Sequence, residues 1–311
     1  GGYNYFIKFA RVLEENGNGK LNRNSSDICT NHKVYCEKLK TFFLDCQQRF
    51  DVNYWKLDGF SARPPQPDPQ GNYISGGYQG MYYVTEHWER WIDIFQAMRN
   101  QRGEKRNDLW INLTCYVNPS PWFLQWGNSV WMQNSQDIGR LNVKRLSQLD
   151  QLLSYRDDRY FDFVKTRAFQ FPLAHLYNHD PIYGNTANLA GKMNDDEFRT
   201  YLMMMATRGT AFWELYYSYN MMNEGQKWVI NADVLHWIND NYEILKHAKL
   251  IGQTPVKGTP YGYSAWSGKE AIISVRNPSD EVKEFDFTLD RIIGMPEGLK
   301  GLYRTSVWTY R

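Results

Sequence analysis

The sequence has no apolar run approaching the ~18–20 residues that a membrane-spanning helix requires, so a membrane partner is not expected. No signal peptide can be read in the residues present. The chain opens at Gly1-Gly2-Tyr3 without Met, as a fragment or processed product would, with any targeting signal lying upstream. Charge of one sign is also lacking: 36 Lys plus Arg face 34 Asp plus Glu, a net charge of +2, and no field favours nucleic acid or an anionic surface. The 4 cysteines, Cys29, Cys36, Cys46 and Cys115, contain no C-x-x-C pair, which argues against structural zinc and leaves the redox compartment and disulfide state open. There is no H-E-x-x-H, no Gly-rich phosphate turn, no internal repeat and no low-complexity tract, and no metal or organic cofactor is expected. Asn24-Ser25-Ser26 and Asn112-Leu113-Thr114 match the glycosylation pattern, but the second lies in a predicted buried strand and both are read as chance. Nothing in the residues speaks to oligomeric state.

Aromatic residues are abundant instead, at 16% of the chain, and many are Trp or Tyr. An indole or phenol can cover the C–H face of a pyranose while its polar tip makes a hydrogen bond, and the same rings can equally fill a large core. Up to about residue 250, short apolar runs alternate with amphipathic stretches, the pattern of parallel strands joined by helices. Helical spacing is read over 32–48 (Val34, Leu39, Phe42, Phe43, Cys46) and 86–99 (Trp88, Trp91, Ile92, Phe95, Met98). A third helix is predicted to start at Asn194, with Glu197 placed to complete a capping box. Strands are predicted near Asp27-Ile28-Cys29, then at Tyr54–Asp58, Leu109–Tyr116, Ser129–Met132, Ala168–Leu173 and Thr210–Leu215. These make six strand-and-connection units, two short of a closed (β/α)₈ barrel. From residue 252 the texture changes to Tyr261–Trp266, Ala271–Val275, Glu284–Leu289 and Ser306–Tyr310, read as a small antiparallel β domain. The expected fold is thus α/β: a TIM barrel lacking its first strands over residues 1–251, followed by an antiparallel β domain over 252–311.

Reactive groups of parallel barrels lie at the C-terminal ends of the strands. Asp58 ends its strand, and Lys56, two residues earlier, falls on the same side by period-two alternation. There it keeps a carboxylate ionised and can bond a sugar hydroxyl, or it forms a buried ion pair that only fixes the strand. The segment from Gly59 to about Val84 is long, rich in Pro, Gly and Tyr, and carries Arg63; over a barrel mouth it could close on a substrate, or serve as a packing insertion. Asp137 follows the Ser129–Met132 run, two strands after the one ending in Asp58. Two carboxylates about 5–5.5 Å apart suit double displacement through a covalent glycosyl-enzyme, in which one attacks ionised and the other first holds a proton. The Trp-rich neighbourhood of Asp137 leads us to expect apolar surroundings for it. Alternatively, Asp137 caps the helical stretch that follows.

Trp55-Lys56-Leu57-Asp58-Gly59 resembles the Lys-x-Asp nucleophile strand of the α-galactosidase and α-N-acetylgalactosaminidase clan of retaining glycosidases, the superfamily that includes glycoside hydrolase families 27, 31 and 36. Ser135-Gln136-Asp137-Ile138 is similar to the acid/base segment of those enzymes, in the same order and about eighty residues on. Leu113-Thr114-Cys115 sits where they carry a strand end that touches the sugar, which makes Cys115 a ligand by resemblance. The likeness covers barrel strands three to eight and part of the C-terminal β domain. Tyr116-Val117-Asn118-Pro119-Ser120-Pro121-Trp122 departs from the sugar-reading sequences of the best-known members and, with Trp126, looks closer to a bacterial branch. What the resemblance implies is a retaining exo-α-glycosidase acting on terminal α-galactosyl or α-N-acetylgalactosaminyl residues of glycans, with Asp58 as nucleophile and Asp137 as acid/base. A bacterial secreted or periplasmic setting accords with it. The rival expectation is a carbohydrate-binding barrel without catalysis.

Other candidates are secondary. His175 and His179 have a spacing that can bind metal, but on strand plus loop; we expect one, His175, to line the mouth and the other to lie on the surface. Glu214, ending the Thr210–Leu215 run, rivals Asp137 as acid or orients other groups. Trp122, Trp126 and Trp213 are candidates for stacking on sugar or for the core.

Overall fold

The computed structural model describes residues 23–24, 27–28, 33–58, 83–114, 119–137, 139–141, 147–185, 192–211, 213–302 and 304–305. Two compact units divide the chain, Gly1–Val130 and Trp131–Arg311.

In the first unit, β1 (Arg23–Asn24) pairs antiparallel with β2 (Asp27–Ile28). This antiparallel pair replaces the parallel strand expected there; Cys29 lies outside the described residues. Helix α1 (Lys33–Phe50) buries Cys36, Leu39 and Phe43 on one face, as the helical spacing predicts. Helix α2 (Tyr83–Arg102) presents Trp88, Ile94, Phe95 and Met98. Gln47 joins the two helices by donating to Met98 C=O and to Gln101 Oε1, both at 3.0 Å. Strands β3 (Tyr54–Asp58), β4 (Trp110–Thr114) and β5 (Ser129–Trp131) run parallel, with Tyr54 opposite Trp110 and Asp58 opposite Thr114, then Asn112 opposite Ser129.

The two faces of this sheet differ in chemistry. Leu57, Ile111, Leu113 and Val130 are all buried, and Trp55 packs edge-on against Phe43 of α1 at 4.8 Å while donating its indole N–H to Gln47. The opposite parity carries Tyr54, Lys56, Trp110, Asn112 and Ser129. Asn112, fully buried, donates to the Tyr54 hydroxyl (2.9 Å) and accepts from Ser129 Oγ (2.5 Å), which in turn accepts from the Trp110 indole (3.0 Å). An apolar face under helices and a hydrogen-bonded polar face opposite is what period-two alternation produces in a sheet whose two sides have different surroundings.

In the second unit, Met132 N–H donates to Tyr177 C=O at 3.3 Å, which sets β6 (Leu176–Tyr177) beside the chain leaving β5. Helix α3 (Gln148–Phe161) is capped by Ser147, whose Oγ accepts from Asp150 N, and it continues into a wider π turn at Asp162–Thr166. Strand β7 (Ile182–Tyr183) pairs in parallel with β8 (Tyr216–Tyr217). Helix α4 (Asp195–Thr207) begins with the reciprocal Asn194–Glu197 capping box read from the sequence. Phe198, Tyr201, Leu202 and Met205 of α4 meet Ile230 and Val234 of α6 (Lys227–Asp240), following the short α5 (Tyr219–Met222). Each such side chain, fully buried, stabilises the fold by about 1.5–3 kcal/mol before entropy is counted. Helix α4 stops at Gly209, whose φ of +62° is left-handed and where a Cβ would lie 2.1 Å from Leu245 C=O, in α7 (Tyr242–Leu245).

The C-terminal sheet is antiparallel, in the order β11-β10-β9: β9 (Lys249–Gly252), β10 (Tyr261–Ser267) and β11 (Glu270–Arg276). Gly262 is required there, since a Cβ would lie 1.8 Å from Ser274 C=O. A buried charge network ties this sheet to the helices. Asp157 of α3 accepts from Arg208 Nε (2.7 Å), from the Tyr263 hydroxyl (2.7 Å) and from the Tyr261 hydroxyl. Arg276 donates to Tyr261 (2.7 Å), Ser154 (2.9 Å) and Asp150 (2.6 Å).

Three expected strands take other forms. Ala168 is left-handed (φ +52°), and Phe169 and Phe171 fold back onto Phe163 at 4.8 and 5.9 Å, so 168–172 joins no ladder, Leu173–His175 forms a short turn, and the strand comes later, at Leu176–Tyr177. After the left-handed Gly209 that ends α4, the described residues of Thr210–Leu215 form no ladder; Ala211 N–H makes one bond to Leu176 C=O (2.9 Å), and the strand forms at Tyr216–Tyr217. Glu284–Leu289 joins no ladder, because Phe285 packs against the small Ile251–Trp266–Ile293 cluster while its neighbours face solvent. Ser306–Tyr310 lies outside the described residues. Among the described residues, parallel pairing joins β3, β4 and β5 and joins β7 with β8, and no closed eight-stranded ring is formed. No helix among the described residues is long and apolar enough to cross a membrane.

Candidate functional site

Asp58 is the last residue of β3, at the carboxyl end of a parallel strand, in the register position of Tyr54 and Lys56 parity. Its backbone is paired opposite Thr114, whose side chain is buried. Lys56 is half-buried and opposite Asn112, so the cation stands in the polar face and not beneath the helices. Arg63 and Cys115 lie outside the described residues.

The same unit carries an aromatic platform after β4. Ser120 Oγ accepts from Trp122 N (3.2 Å) and starts the turn Pro121–Gln125. Trp122 is 39% exposed and leans on Trp126 (4.3 Å between ring centroids) and edge-on to the buried Trp88 (5.7 Å). Arg99 fixes the end of the turn by donating to Trp126 C=O at 2.8 Å. An indole exposed to this extent has surface that can take the C–H face of a sugar.

In the second unit, the Asn134–Asp137 segment is strapped to α3. Arg156 donates to Ser135 Oγ (2.7 Å), Gln136 C=O (3.1 Å) and Asp137 C=O (2.8 Å), while its Nε pairs with Asp180 at 3.0 Å. Gln136 N–H donates to the Tyr155 hydroxyl (2.9 Å), and Asn134 reaches Arg159 C=O (2.9 Å) and Asp162 (3.0 Å). The helix-cap alternative for Asp137 is not realised, since Ser147 caps α3. The expected apolar setting is not realised either: the Asp137 side chain is 75% exposed. The backbone is held by Arg156 and the carboxylate is left facing outward.

Beside it stands His179, a residue the sequence reading set aside. Its Nε2 lies 3.4 Å from Asp137 Oδ1. Its Nδ1 contacts the buried Glu214 carboxylate and, at 3.1 Å, the Tyr216 hydroxyl. The ring rests on Trp131 (4.6 Å) and meets Tyr216 edge-on (5.4 Å). Glu214 is anchored through its own N–H to Asp180 C=O at 3.0 Å. Thus His179, Glu214, Tyr216 and Arg156 join Asp137, whereas His175 lies half-buried in the short turn Leu173–His175. Trp213 is half-buried and packs against the α4–α6 core. Comparison with known proteins finds no matching family model, no matching curated protein and no matching solved structure.

Proposed function

We propose that the protein is a retaining exo-α-glycosidase that hydrolyses terminal α-galactosyl or α-N-acetylgalactosaminyl residues of glycans. In this reading the chain carries strands three to eight of a (β/α)₈ barrel and an antiparallel β domain. Asp58 attacks the anomeric carbon, the bond to the leaving oxygen breaks, and a β-glycosyl ester forms. Asp137 gives its proton to that oxygen, then takes one from the water that cleaves the ester, so a single group serves as acid and base. Lys56 holds the nucleophile ionised and bonds a sugar hydroxyl; Trp122 and Trp126 stack on the ring; Arg63, Cys115 and His175 contribute polar contacts.

One observation carries the reading: Asp58 ends a parallel strand whose Lys56 parity belongs to the polar face, the face turned away from the helices. The partly exposed Trp122 adds a surface suited to sugar. The test is Asp58→Ala with an activated aryl α-galactoside and azide. Restored turnover yielding the β-glycosyl azide supports the assignment, and turnover at the wild-type rate without azide refutes it.

A further inference from the structure

The geometry points to a proton relay, Glu214–His179–Asp137, in which His179 is a positioning residue that shares one proton with Asp137. This rests on the glycosidase reading for the destination of that proton. The arrangement itself rests on distances within one unit. Ionised Glu214 can only accept hydrogen bonds, so its contact with Nδ1 places a hydrogen there. Neutral His179 then has its lone pair at Nε2, which faces Asp137 Oδ1 at 3.4 Å, slightly longer than a good hydrogen bond and able to tighten when substrate binds. Trp131 beneath the ring and Tyr216 at Nδ1 hold this orientation.

The relay supplies what exposure denies. A carboxyl group open to water over most of its surface has no apolar wall from the protein around it. A proton between Oδ1 and Nε2 is held by both atoms, with Glu214 opposite. The balance closes over one turnover. The shared proton passes to the leaving oxygen as Asp58 forms its ester, leaving Asp137 ionised and His179 neutral. Water then attacks the anomeric carbon, the bond from that carbon to Asp58 breaks and frees its carboxylate, and the proton given up by the water returns to the Asp137–His179 pair.

Two measurements test this. In the first, ¹⁵N spectra of the imidazoles in the full-length chain are expected to show neutral His179 as the Nδ1–H tautomer, kept in Asp137→Asn and lost in Glu214→Gln; an Nε2–H or averaged tautomer in the wild type overturns the relay. In the second, His179→Gln is assayed on α-glycosides with poor and good leaving groups. The relay requires a drop in kcat/KM at least about tenfold larger for the poor leaving group, which needs the acid, than for dinitrophenolate, which does not. Equal losses on both, with the Asp58→Ala azide product still formed, overturn the relay and leave the glycosidase reading standing. Absence of wild-type turnover on every aryl α-glycoside refutes that reading, while the tautomer still decides whether the proton is held as described.

Discussion

Asp157→Asn changes one charged oxygen into an amide in a site with no solvent access. Asp157 Oδ1 accepts from Arg208 Nε and from Tyr263, and the other oxygen accepts from Tyr261. Tyr261 already accepts from Arg276 at 2.7 Å, so its own hydrogen is committed to Asp157. Whichever way the new amide turns, its NH₂ meets at least one donor, and Arg208 loses its best anion. Breaking a buried pair from one side costs about 3–5 kcal/mol. Arg208 keeps Asp180 at 3.2 Å, which places the expected loss near the lower end, about 3 kcal/mol. With a urea slope of about 2 kcal/mol per molar, the midpoint falls by roughly 1.5 M. Hydrogen exchange of the Tyr261–Ser267 amides should accelerate in step, because that strand hangs on the same carboxylate. As control, Asp233→Asn breaks a 3.7 Å pair with Arg199 that is largely solvated, and about 0–1 kcal/mol is expected. A midpoint for Asp157→Asn indistinguishable from this control refutes the reasoning.

Two further outcomes follow from burial. Desolvation raises the hydroxyl pKa of buried Tyr160, Tyr201, Tyr261 and Tyr263 above the ordinary phenol value of 10.0. Since the folded value lies above the unfolded one, this stability is complete below pH 10 and declines as the unfolded chain ionises first, by about 1.4 kcal/mol per pH unit for each residue. Denaturant midpoints measured from pH 9 to 11.5 should therefore bend downward past pH 10, and a flat profile contradicts the assignment. Trp122→Ala should raise KM for the aryl glycoside severalfold with little loss of stability, because its ring is partly open, whereas Trp88→Ala should cost about 3–5 kcal/mol by emptying a core position. The converse pattern in paired melting and kinetic assays would place Trp122 in the core.

Local chemistry was legible in the sequence. The Tyr54–Asp58 strand, the faces of α1 and α2 and the Asn194–Glu197 box depend on residues within a turn or two of each other, where periodicity and capping act directly. Strand limits at 168–173 and 210–215 were misplaced because left-handed Ala168 and Gly209 stand at the start of each run, and the ladders form only later, at Leu176–Tyr177 and Tyr216–Tyr217. The surroundings of Asp137 were not legible for a different reason. His179 meets Glu214 across 35 residues and Arg156 meets Asp180 across 24, and no short-range pattern encodes either meeting. One signal was available: Asp157 stands in the apolar stripe of α3, with Leu153 one turn before and Tyr160 one turn after, where an unpaired charge would not be tolerated. A helix with a charge on its buried face must find counter-ions elsewhere in the chain, and Arg208 is that partner.

The central claim is that Asp58 becomes covalently attached to sugar. Incubating the protein with an activated 5-fluoro α-galactosyl fluoride slows hydrolysis of the ester more than its formation and lets the adduct accumulate. Peptide mapping by mass spectrometry is expected to find one glycosyl group, on the peptide containing Asp58. A fluoride burst with the sugar on another carboxylate, or steady turnover with no adduct at all, would contradict the account.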